Sequence, residues 1–172
     1  MQVPEKLINF RVYQDGDDLV GIADVELPSL EAMTETVSGA GIAGEVDSPV
    51  LGHYGSMELT LNWRTLEKKN VLLAAHNGVA LDLRGAQQVY DSSAAKLVVK
   101  GVKCIVRGIP KNAELGSFQV GSPTETSNVI EVTYIKLTID GEDVLEIDKY
   151  NFINRVNGTD LLADVREALG LN

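Results

Sequence analysis

Apolar and polar residues trade places at every second position through much of this chain, which is the pattern of strands with one buried and one wet face. The cleanest case sets Met57, Leu59, Leu61 and Trp63 against Glu58, Thr60, Asn62 and Arg64. Between Leu7 and Tyr13, Ile8, Phe10 and Val12 alternate with Asn9 and Arg11. Asp15-Gly16 then supplies a turn into a second strand, Leu19 to Leu27, so a hairpin is expected to begin the protein, with Pro28 ending it. Val79, Leu81 and Leu83 predict a further strand, and Lys96 to Arg107 another, broken by Gly108 and Pro110. The polar stretch from Ala113 to Asn128 reads as a surface loop with one short strand around Phe118 and Val120.

The most legible region runs from Ser127 to Leu171. Asp140-Gly141 lies between two runs of β-branched residues, the arrangement of a tight hairpin. Apolar positions fall on one parity at Ile130, Val132 and Tyr134 and on the other at Ile135, Leu137 and Ile139. Either a bulge shifts the register near Tyr134 or both faces are covered. The return strand, Val144 to Lys149, opposes Leu145 and Ile147 to Glu146 and Asp148, giving an acidic wet face. Two short helices are expected. One is capped by Thr65 and runs from Leu66 to His76 before Asn77-Gly78; His76 complements the helix dipole. The other is capped by Thr159, with Asp160 at its start, Arg166 in its last turn and Gly170 at its end. Its stripe of Leu161, Leu162, Val165 and Leu169 reads as core packing. The expected class is mainly β, with one or two short α-helices.

Residues 31–56 form the least regular segment and contain Gly39-Ala40-Gly41-Ile42-Ala43-Gly44, a literal G-x-G-x-x-G. A dinucleotide site needs a helix to open at the last glycine and hold a pyrophosphate. Here Glu45, Val46, Asp47, Ser48 and Pro49 follow, with no helical period and two negative charges where phosphates would sit. The segment therefore reads as a flexible arm between strands.

Composition narrows the chemistry. The 172 residues carry a net charge of −10 with 44% apolar positions, a folded chain rather than a disordered one. No signal-like segment and no apolar run of spanning length occurs, so the chain is expected to start at Met1 and remain where it is made, without membrane insertion. The Asn157-Gly158-Thr159 sequon then has no use. A surface of this charge repels nucleic-acid phosphate unless a basic patch offsets it. Cys104 stands alone in a strand-like setting, and His53 and His76 have no partners at ligand spacing, so neither a disulfide nor a metal centre is expected. No G-x-S-x-G motif is present, the Asp140-Gly141-Glu142-Asp143 run lacks calcium-loop spacing, and Glu146 and Asp148 read as wet strand positions rather than an acid pair. No catalytic residue and no cofactor is expected.

The order and spacing of Leu27-Pro28, Gly39-Ala40-Gly41 with Gly44, Tyr134 through Leu137-Thr138, Asp140-Gly141, Glu146-Ile147-Asp148, Val156-Asn157-Gly158, Asp160, Leu162, Arg166 and Leu169-Gly170-Leu171 resemble the major tail tube proteins of contractile-tailed bacteriophages and related phage-tail-like bacteriocins. The resemblance runs nearly end to end and is weakest over residues 85–127. It implies one β-sandwich or barrel-like tube domain over residues 1–172, assembling six to a ring. Rings would stack inside a sheath, with tape measure, baseplate and tail terminator proteins as partners and DNA passing without specific binding. It further implies a place in the virion tail after assembly in the host cytoplasm. Six copies at −10 each would carry about −60 formal charges. An acidic bore would keep DNA from sticking. Gly39, Gly41, Gly44 and Pro49 are the candidate inter-subunit arm. Glu58, Thr60, Asn62, Glu146 and Asp148 are candidates for a bore-lining face. A headless bacteriocin, a type VI-like injection tube and a small ligand-binding β-barrel are the alternatives.

Overall fold

Residues 1–171 are described by the computed structural model, which is almost entirely antiparallel β-sheet. The first strand, β1 (Gln2–Gln14), turns at Asp15-Gly16 into β2 (Asp17–Asp18), and β3 is Ile22–Glu26. An arm of β4 (Ala32–Ser38) and β5 (Glu45–Tyr54) precedes β6 (Glu58–Trp63) and a helical turn, α1 (Lys68–Leu72). Three long strands follow: β7 (Val79–Asp91), β8 (Lys96–Glu114) and β9 (Thr126–Ile139). The chain closes with β10 (Glu142–Asp148), β11 (Ile153–Val156), β12 (Thr159–Asp160) and α2 (Ala163–Ala168). In the main sheet the order is β12-β11-β10-β9-β8-β7-β1-β2, with β3 and β6 branching from β9, while the arm forms a sheet of its own.

Strand β9 organises this topology by changing partners halfway. Its first half, through Glu131, pairs with β6, and its second half, from Tyr134, pairs with β10, while β8 runs along its other edge throughout. The changeover is a bulge, where Arg107 and Gly108 of β8 face Tyr134 and Val132, skipping Thr133. Val132 N–H donates to the Met57 carbonyl at 2.8 Å, and the Thr133 carbonyl accepts from Lys149 N–H at 3.0 Å. The change of apolar parity near Tyr134 thus has its cause in this bulge. Ile130 and Val132 are wholly buried on one side of it, and Ile135 takes the opposite parity beyond it.

Splitting the sheet lets its halves fold over one core. Met57, just before β6, and Leu59, Leu61 and Trp63 within it meet Val12, Leu81, Leu83, Cys104, Val106 and Ile147 from β1, β7, β8 and β10. Burial stabilises each such large side chain by about 1.5–3 kcal/mol. One polar knot lies within the core: Trp63 Nε1 donates to Asn128 Oδ1 at 3.0 Å, Asn70 Nδ2 donates to the same oxygen, and Asn128 Nδ2 donates to the Asn70 carbonyl at 3.3 Å. Asn70 and Asn128 are fully buried, so the knot clamps α1 onto β6 and β9.

Several expectations from the sequence are corrected. Only Asp17–Asp18 return along β1; Leu19 turns into the core, and β3 pairs with β6 instead. Strand β8 runs through Gly108 and Pro110, which pair with Val132 and Ile130; the residues skipped in the register are Thr133 of β9 and Lys111 of β8. A side chain at Gly108 would collide with the Glu131 carbonyl, so glycine permits the strand to continue there. No strand forms around Phe118 and Val120, where the backbone bonds to itself through Ser117 N–H to the Thr124 carbonyl at 2.9 Å.

Helix α1 is shorter than the apolar period suggests, and Thr65 bonds the Glu67 carboxylate rather than capping. His76 lies beyond it. Thr159 sits in a strand, and α2 begins after Leu162, whose N–H bonds Asp160 Oδ1 at 3.1 Å. Of the expected core stripe only Leu162 is buried; Leu161 and Leu169 are exposed. The hairpins at Asp15-Gly16 and Asp140-Gly141 do form, with φ of 52° and 85° and of 52° and 81°. Replacing Asn128 by Ala removes the shared acceptor and strands two buried donors, so it lowers unfolding free energy by about 2–4 kcal/mol in urea titrations. Thr60→Ala, on the wet face, changes it by less than about 0.5 kcal/mol.

Candidate assembly surfaces

The segment from 31 to 56 is a regular hairpin rather than an irregular arm. Val37 faces Val46, Glu35 faces Ser48 and Thr36 faces Asp47, where the Thr36 hydroxyl donates to the carboxylate at 2.9 Å. Gly39, Gly41 and Gly44 lie at its tip with φ of 118°, 89° and 117°. Pro49 sits opposite Thr34, at the last regular pair before the strand loops out. Its root is fixed to the body: Gly55 N–H donates to the Glu31 carbonyl at 2.8 Å, Lys149 Nζ donates to the Gly55 carbonyl at 2.7 Å, and Leu162 packs against Gly52. Beyond the root both faces are solvent-exposed, including Met33, Val37, Val46 and Val50. That exposure weakens the alternation seen in the sequence, because no core selects one parity.

The candidate wet-face residues fall on two different layers. Glu58, Thr60 and Asn62 line the outer side of β6. Lys111 Nζ lies 2.5 Å from Glu58 and 2.9 Å from Glu131, Ser56 Oγ donates to Glu131 at 2.7 Å, and Asn62 Nδ2 donates to Asp24 at 2.6 Å. Hydrogen bonds to Glu58 and then Glu131 raise the Lys111 pKa. Glu146 and Asp148 lie instead on the outer side of β10. Glu146 accepts from Tyr134 Oη at 2.9 Å and pairs with Arg155 at 2.8 Å, and Asp148 accepts the N–H groups of Tyr150 and Asn151 at 3.2 Å. The same face carries Arg107 stacked on Tyr134 at 4.1 Å and Arg166 paired with Asp160 at 2.6 Å.

Each acid named in advance thus has a polar partner that sequence reading missed. For Arg155 and Glu146 the signal was absent, because β11 follows no clear alternation. Lys111 sits in a strand whose apparent end at Pro110 hid it. Among the described residues no cluster of three metal-ligating side chains occurs, and no helix is long and apolar enough to cross a membrane. Cys104 is buried, and burial pushes its thiol up to about 11.

Long strands with open edges and a rooted but uncovered arm define a structural protein whose surfaces are made for association. The chain belongs to the phage tail tube protein FII family, whose pattern it matches over residues 4–170. It is 33% identical to the tail tube protein of Escherichia phage P2, over 99% of this chain and 100% of that protein. It is 29% identical to the major tail tube protein of Serratia phage KSP20, over 99% of each chain. In fold it is similar to the sheath/tube terminator of an extracellular contractile injection system in its extended state, with a TM-score of 0.53 and 11% identity over 76% of this chain and 94% of that one. The chain is a structural tail tube subunit of that family.

Acid dependence of the monomer follows from the carboxyl-terminal ion pair. The Arg166 guanidinium holds the Asp160 carboxyl below its ordinary value of 3.8. A depressed folded-state pKa adds stability that is complete above 3.8 and lost as pH falls through the folded value. Asp160→Asn therefore flattens the loss of stability on acidification in this window. Unfolding midpoints that fall equally steeply with pH in both proteins would contradict the assignment.

Proposed function

We propose that six copies close into a ring, that rings stack into the inner tube of a contractile tail, and that DNA leaves the particle through the bore. The observation that carries this reading is the unpaired edge of β1. From residue 2 to residue 11 the strand pairs only with β7; its other side is covered only near the end, where Leu19 N–H donates to the Val12 carbonyl at 2.8 Å and β2 pairs with Tyr13 and Gln14. An open edge of that length is a template for another strand, and closure into a barrel with neighbouring copies removes it. The family match over nearly the whole chain supports the same arrangement.

In the tube one outer layer faces the bore and the other faces the sheath. The face of β1, β7, β8, β9 and β10, with Glu146 and Asp148, is the broader of the two and is our choice for the bore. Three of its cations are held by acids, Arg11 by Asp18 at 2.7 Å, Arg84 by Asp82 at 2.8 Å and Lys136 by Asp143 at 3.2 Å, while Arg107 stacks on Tyr134 at 4.1 Å and Lys103 lies 3.9 Å from Asp82. Paired cations have little to gain from phosphate, because binding DNA would cost them their carboxylates. A tape measure protein inside the tube, a baseplate and a terminator at its ends, and assembly in the host cytoplasm complete the proposal.

Within it, Gly39, Gly41, Gly44 and Pro49 belong to an arm that reaches a neighbouring copy. Deleting Gly39 to Gly44 leaves the body folded, with unchanged circular dichroism, but abolishes tubes in negative-stain electron microscopy. Normal tubes from that deletion would overturn the role of the arm.

A further inference from the structure

We propose that the arm of one copy lies on a basic flap of another, formed by the first half of β8 and the strand segments beside it, with its apolar face filling a groove there. The proposal rests on the reading of the arm as an inter-subunit contact and adds the surface that receives it.

Charge separates the two surfaces. No lysine or arginine occurs between Arg11 and Arg64, and the arm carries Glu31, Glu35, Glu45 and Asp47 with no cation to offset them. The flap reverses the sign: on its core-side face Lys96 and Lys100 stand against Asp91. Within one chain Lys100 is only loosely engaged, 3.8 Å from Asp140. Both surfaces are well placed to gain from a partner of opposite sign.

Pattern matches charge. On one face of β4, Met33, Glu35 and Val37 alternate as apolar, acidic, apolar, and Val46 directly opposes Val37. On the core-side face of β8, Lys96, Val98, Lys100 and Val102 alternate as basic, apolar, basic, apolar, beside Val89 and Gln87 of β7. Residues two apart on a strand repeat every ~6.7 Å, so the rows can interlock along their length. Continuing this face toward the body is an open groove of about 360 Å³, lined in part by Leu7, Val25, Leu27, Val102 and Cys104. Leu7 and Leu27 are 49% and 58% exposed there, and nothing in the same chain covers them. The arm cannot bend back to this site without leaving its root, where Lys149 holds Gly55 and Leu162 packs against Gly52.

The flap is also firm enough to receive a partner. Its strands pair in continuous register from Val79–Gly108 to Asp91–Lys96, and the Met1 amino group donates to Ser93 Oγ at 2.9 Å, tying the end of β1 to the β7–β8 turn.

Charge reversal and site-directed cross-linking in the full chain test the contact. Lys96→Glu with Lys100→Glu should give a monomer with unchanged circular dichroism that forms no tubes, and adding Glu35→Lys should restore tubes in part. Separately, Cys104→Ser/Val37→Cys protein mixed with Cys104→Ser/Val98→Cys protein should form a disulfide-linked heterodimer under assembly conditions. If deleting Gly39 to Gly44 blocks assembly but neither rescue nor the cross-link appears, the arm lands elsewhere and the proposed receiving surface is wrong. If that deletion leaves assembly intact, the arm reading itself fails.

Discussion

The skip at Thr133 governs the rest of the structure. Ahead of it β9 bonds to β6, and past it β9 bonds to β10, so one strand belongs to two layers. A single flat sheet of these strands would leave one apolar face in water. Because the parity of buried side chains changes with the bulge, Ile130 and Val132 on one side and Ile135 on the other all reach the same core. The Trp63–Asn128–Asn70 knot fixes the first half of β9, and the Glu146–Arg155 and Asp160–Arg166 pairs brace the layer that extends from the second.

Local hydrogen bonding places the core; what it leaves uncovered sets the function. A strand edge, a hairpin with no layer against it and an apolar groove would each be a liability in a monomer. Together they are the parts of a repeating polymer, since a contact between unlike surfaces propagates from copy to copy until a ring closes or a filament grows. The acidic character of the arm and the basic flap give that association a direction. On the broad wet face Arg11, Arg84 and Lys136 are each paired with a carboxylate of the same chain.

Strands with one wet face were legible in the sequence because burial imposes their period: β6 shows it from Met57 to Trp63, and the bulge in β9 announced itself as a parity change. The hairpin turns at Asp15-Gly16 and Asp140-Gly141 were legible from turn chemistry. What misled was local punctuation that tertiary contacts override. Gly108 and Pro110 looked like strand ends but pair within β8 beside two register shifts, and Thr65 and Thr159 looked like caps but bond elsewhere or extend a strand. The arm was opaque for a different reason. With both faces in water, nothing within one chain selects which of its residues are apolar. The ion pairs around Glu58 and Glu146 join residues far apart in sequence and were invisible until the strands were in register.

Electron cryomicroscopy of the polymerised protein, at a resolution that traces side chains, tests the central claim most directly. The account predicts rings of six in which the free edge of β1 is bonded to a neighbouring copy and the face bearing Glu146 and Asp148 lines the bore. Tubes in which β1 keeps an open edge, or in which the Glu58 face lines the channel, would contradict it.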